Sequence, residues 1–125
     1  MNRKQIKLAA QLGGFLSIII IAVLSLVPGS MRPHTGAPSQ FEHVAAYVLA
    51  AGFLTVGYDN RRYPAVIALF LSIFSAVLEI AQTQISGRNA AVLDFVASSI
   101  GAVIGCALTW VVLRLFRIAI NQDQG

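Results

Sequence analysis

The sequence predicts an all-α, polytopic integral membrane protein: a four-transmembrane-helix bundle with both termini cytoplasmic. Three observations point there. Of the 125 residues, 57% are hydrophobic and only 11% are charged, with a mean hydropathy of +0.75, whereas a soluble domain is about 25% charged. Most of the length falls into apolar stretches, each near the ~20 residues a helix needs to cross a bilayer. The basic residues, finally, sort to one side of those stretches. A soluble enzyme, a zinc-ribbon protein and a disordered tail are excluded. A single transmembrane domain over residues 1–125 remains, with spans at about 8–27, 41–58, 64–82 and 90–116.

The first span, Leu8 to Val27, carries Gln11 as its one strongly polar side chain. It follows a basic start, as a secretory signal would. The run is too long for a signal core, however, and Leu26-Val27-Pro28-Gly29-Ser30 offers no Ala-x-Ala cleavage site, so a retained anchor is expected. Pro28 and Gly29 then end the helix. The second span opens at Phe41 with Glu42 and His43 in its first turn. The third opens at Pro64, a residue suited to a first helical turn, and carries Glu79 near its end. The fourth carries Asp94 in its first turns and no charge from Phe95 to Leu113. Each span is read as a helix, because hydrocarbon leaves no partner for an open strand edge.

With the N-terminus inside, Arg3, Lys4, Lys7, Arg61, Arg62, Arg114 and Arg117 are cytoplasmic, and only Arg32 and Arg88 lie outside. That asymmetry follows the positive-inside rule. It also accounts for the net charge of +4 without nucleic acid, since the basic residues are spread over short loops with no aromatic interleaving. Cys106, the single cysteine, lies within an apolar stretch and reads as a small hydrophobe.

This topology gathers the unusual residues at the outer face. Ser72, Ser75, Glu79 and Gln82 recur three or four apart, on one face of the third helix; Asp94, Ser98, Gly101 and Gly105 do the same on the fourth. His43 and Tyr47 share a face of the second. Acidic residues in spans are costly and normally face a bundle interior or polar cavity, so the three stripes are expected to face one another. Gly101 and Gly105 would let the fourth helix approach a neighbour closely. The expected site is therefore His43, Glu79, Gln82, Arg88 and Asp94, supported by Arg32, Tyr47 and Ser98.

Arg88, with Gln82, suits a phosphate or carboxylate through charge-assisted bonds. His43 suits proton transfer near neutral pH, oriented by Glu79 or Asp94. A divalent cation ranks below these, few oxygen ligands being assured, so neither a metal nor a cofactor is expected. Ser86, Ser98 and Ser99 are serine candidates by proximity alone, Glu42 can simply complement a helix dipole, and His34 reads as solvent-exposed. Two classes stay open. One is an outward-facing binding site or enzyme for an amphiphilic envelope molecule, such as a membrane lipid or a lipid-linked phosphate. The other is a structural or regulatory membrane subunit whose polar residues pack helices or grip a protein partner. A transporter ranks third, because the cytoplasmic half holds no polar path.

The run Glu79-Ile-Ala-Gln82-Thr-Gln-Ile-Ser-Gly87-Arg88-Asn-Ala-Ala-Val-Leu-Asp94 resembles the signature of the VanZ-like family of small membrane proteins: Glu-x-x-Gln, then Gly-Arg, then an Asp opening the last core helix. Arg32-Pro33 and His43-x-x-x-Tyr47 fit earlier family elements, and the resemblance extends from about Arg32 to Gly105. Two departures from it stand out. The family often has Asp-Lys where this chain has Ser39-Gln40, and Asn where it has Ser98. The resemblance implies residence in a bacterial inner membrane and a role in the cell envelope; the family's namesake is associated with low-level teicoplanin resistance.

Overall fold

The computed structural model describes residues 1–122, whose regular elements are all helical, with no strand among them. The helices are α1 (Arg3–Leu26), α2 (Ser39–Gly57), α3 (Tyr63–Gln82) and α4 (Val92–Gln122), with one 3-10 turn at Gly29–Met31. α1 begins five residues ahead of the apolar run because Asn2 caps it. The Asn2 side chain accepts from the Gln5 amide at 3.0 Å, and Gln5 Oε1 accepts from the Asn2 amide at 2.9 Å, so two otherwise orphaned N–H groups are satisfied. α4 has 31 residues, about 46 Å at ~1.5 Å per residue, and outruns a hydrocarbon layer of about 30 Å.

Three helices, α1, α3 and α4, are long and apolar enough to cross a membrane. Their outward faces carry Leu12, Phe15, Leu69, Ile73, Ile100 and Leu108 in the open, the surface of a membrane protein rather than a water-facing one. α2 is not among them, because Ser39, Gln40, Glu42 and His43 occupy its first turns. It is the central helix, flanked by α4, α1 and α3, and small residues permit that close approach. Ala50 and Ala51 are fully buried within it, and Tyr47, Leu54 and Thr55 nearly so. α1 and α4 lie against different sides of α2 and do not pack on each other.

The closest seam is α2 on α4. Gly101 and Gly105 are both buried; a Cβ at Gly101 would stand 2.6 Å from the Val44 carbonyl oxygen, and one at Gly105 would stand 2.5 Å from that of Val48. Gly14 of α1 fits similarly against Leu54. Gln11 answers a different need: its Nε2 donates to the carbonyl of Gly57 at 3.1 Å, satisfying an end carbonyl that α2 cannot bond itself. Cys106 joins Leu71, Ala102 and Leu54 in the apolar core.

α1 and α3 end where α2 and α4 begin, so the segments 27–38 and 83–91 meet at one end of the bundle. Backbone joins them directly, the Gly29 amide donating to the Ser86 carbonyl at 3.2 Å. Gly87 sits there at φ +74, a left-handed conformation that glycine adopts freely. A Cβ on Gly29 would fall 2.1 Å from the Gly87 oxygen. Glycine is required on both sides of that crossing.

Candidate functional site

At this stitched end, three helices each supply one ionisable group to one place. His43 comes from the first turns of α2, Glu79 from the last turn of α3 and Asp94 from the first turn of α4. One ligand-type atom from each lies within 4.8 Å of the others. The helical spacing that aligns Ser75 with Glu79 and Asp94 with Ser98 turns both stripes inward, and all four residues are buried. Glu79 and Asp94 are each 8% exposed.

Neighbours fix each group. His43 Nε2 is 3.5 Å from Asp94 Oδ2, and its Nδ1 is 3.0 Å from Ser98 Oγ. Asp94 also accepts from Ser39 Oγ at 2.8 Å and from Gln40 Nε2 at 3.2 Å. Glu79 Oε2 accepts from the Ala91 amide at 2.9 Å, which ties the end of α3 to the segment leading into α4. Tyr47, one turn beyond His43, is almost wholly buried, with its hydroxyl beside Ser75 and Ser98.

The other expected site residues stand apart from this triad. Gln82 is buried, and its Nε2 donates to the Ser25 carbonyl at 3.2 Å, joining α3 to α1. Arg88 reaches the end of α1, where Nε donates to the Val27 carbonyl at 3.0 Å and a second guanidinium nitrogen donates to Leu24. A cation on the last carbonyls of a helix satisfies them and complements its dipole. Arg32 pairs with Glu42, which also accepts from the Thr35 hydroxyl. His34 is exposed.

Beside the triad a cavity of about 480 Å³ opens between α1 and α2. Ile21, Leu24, Phe41, Ala45 and Ala46 contribute apolar wall, and Arg32, Glu42, His43 and Arg88 contribute the polar groups. Burial, and then the nearby charge of Arg32, lower the pKa of Arg88 from the usual arginine value, with Glu79 opposing them. The guanidinium stays charged all the same. Arg88 forms no ion pair with a carboxylate among the described residues, and it lines this cavity. His43 borders both the cavity and the triad. A smaller cavity of about 260 Å³ lies on the far side of Glu79, among Ile80, Ala91 and Phe95.

The sequence reading missed Ser39, Gln40 and Thr35. Ser39 and Gln40 were legible only as departures from a family pattern, yet both bond Asp94. Comparisons of the chain with family models, with curated proteins and with solved structures returned no match.

Proposed function

We propose that the chain is a VanZ-like protein of a bacterial inner membrane, with α2 as a fourth span, both termini cytoplasmic, and the end bearing His43, Glu79 and Asp94 outermost. There it binds an amphiphilic cell-envelope molecule through an anionic headgroup. The observation that carries this reading is the cavity between α1 and α2. Its volume lies within the ~300–1,000 Å³ of small-molecule sites, its walls suit an acyl or prenyl chain, and Arg88 supplies an unneutralised cation. Orientation is supported by the distribution of basic residues, and the family by the run from Glu79 to Asp94. Arg32, held by Glu42, is positioned to share the headgroup with Arg88.

The test is binding of a short lipid-linked phosphate to the purified full chain in detergent, beside a zwitterionic lipid of equal chain length. The phosphate is expected to bind more tightly, and Arg88→Ala should weaken it roughly tenfold, the worth of one charge-assisted bond. Equal binding of both lipids, or unchanged binding by Arg88→Ala, would refute the reading.

A second reading, a structural or regulatory subunit, is favoured by a specific observation: Gln82 and Arg88 both spend donors on α1 carbonyls, so part of the polar set holds the bundle together. A parent chain that binds no amphiphile, together with an Arg88 variant that folds intact yet has lost a cellular phenotype, would select it.

A further inference from the structure

We propose that His43, Glu79 and Asp94 form a binding site for a divalent transition-metal ion, zinc foremost. The proposal is independent of the amphiphile cavity and reverses the sequence expectation of no metal. Its first ground is the donor set. One imidazole and two carboxylates from three helices form a three-ligand N/O site of the kind that leaves zinc an open position. Tetrahedral zinc with bonds of about 2.0–2.2 Å sets its ligand atoms ~3.3–3.6 Å apart. His43 Nε2 and Asp94 Oδ2 already stand at 3.5 Å. No ligand pair exceeds 4.8 Å, so a side-chain adjustment of at most about 1.5 Å completes the set.

The second ground is independent of that spacing. Glu79 is 8% exposed and forms no ion pair among the described residues. Its one hydrogen bond is the one Oε2 accepts from the Ala91 amide. Arg88 is near enough to interact with it but forms no ion pair, and a buried carboxylate without a bonded cation is costly; here it stands beside another, Asp94. Protonated His43 could offset only one of the two charges. A divalent cation with neutral His43 balances both.

The surroundings fit the same ion. Metal-bound histidines usually donate their other ring nitrogen to a neighbour, which fixes the tautomer. Ser98 Oγ lies 3.0 Å from His43 Nδ1, leaving Nε2 free toward Asp94. Ser39 and Gln40 hold the Asp94 carboxylate, and the Ala91 amide holds that of Glu79. Every ligand is braced by a second group.

The experiment uses the full chain in detergent, stripped with a chelator, re-equilibrated with zinc alone and desalted. Metal content by mass spectrometry should reach one equivalent per chain, and zinc should raise Tm by roughly 5 °C, reversibly on chelation. His43→Gln, Glu79→Gln and Asp94→Asn should lose both effects. Ser98→Ala should weaken zinc affinity roughly 10–100-fold, and Asp59→Asn, at the opposite end of the bundle, should retain it fully. Cobalt(II) added to the parent chain should give the intense visible bands of a low-coordinate site, a readout that needs no variant to fold. Zinc retained equally by the parent and by the three ligand variants would overturn the site. So would a parent chain that retains no zinc, or cobalt that keeps the pale spectrum of its aqueous ion.

Discussion

Leucine at Gly101 tests the central seam and, through it, the geometry of the triad. The Gly101 backbone lies so close to α2 that a bare Cβ would meet the Val44 carbonyl oxygen at 2.6 Å, the Val44 Cα at 3.0 Å and the Tyr47 Cβ at 3.2 Å. Against an ordinary contact of 3.4 Å, the worst of these falls short by about 0.8 Å. Two of the obstacles are backbone, so no rotamer change relieves them and the helices must separate. Overpacking of this kind costs about 1–3 kcal/mol. Gly101→Ala recovers about 1 kcal/mol through helix propensity, leaving a net loss of about 0–2 kcal/mol. Gly101→Leu should exceed 3 kcal/mol, the upper end of that range. His43 is the residue before Val44, so a displaced α2 also carries the imidazole away from Ser98 and Asp94. Thermal unfolding in detergent should rank parent, Gly101→Ala and Gly101→Leu in falling order, with Val103→Leu on the exposed face of α4 matching the parent. Should Gly101→Leu unfold with Val103→Leu and the parent, the seam is not where stability resides.

Arg88→Ala should cost about 1–3 kcal/mol of thermal stability by uncapping the Leu24 and Val27 carbonyls, and Arg88→Lys should recover only part of it, since one ammonium does not reproduce the fork. Arg117→Ala removes an exposed pair with Asp59 and should change stability by less than about 1 kcal/mol; a larger loss would give that pair a structural weight its exposure denies. Gly29→Ala should destabilise the stitched end severely, seen as faster proteolysis within 27–38, because Gly87 backbone occupies the space a Cβ needs. Cysteine at Ser30 or Ser86, in a Cys106→Ala background, should react with an impermeant thiol reagent applied to the outer face. Reaction at Asn60 instead would reverse the orientation.

The helices were legible because apolar runs bounded by Pro28, Asn60 and Gly87 leave little other choice of element, and because three-and-four spacing marks which residues share a face. That logic foretells Ser75 with Glu79 and Asp94 with Ser98, since those relations lie within single helices. It does not foretell partners across helices. Gln82 and Arg88 look like ligand-binding groups in sequence; their bonds to Ser25, Leu24 and Val27 depend on where α1 ends in space. Ser39 and Gln40 carry no signal of their own, and their contact with Asp94 arises only because the first turns of α2 and α4 start side by side.

Because α1 packs beside α2 without touching α4, the bundle divides mechanically into a wall and a block. The block of α2, α3 and α4 holds His43, Glu79 and Asp94 together, whereas the cavity exists only while α1 leans against it. Near that end the wall is latched by Gln82 to Ser25 and by Arg88 to Leu24 and Val27. A change in those latches retunes the width of the cavity and leaves the spacing of the triad untouched, so the two halves of the site can diverge separately under selection or by design.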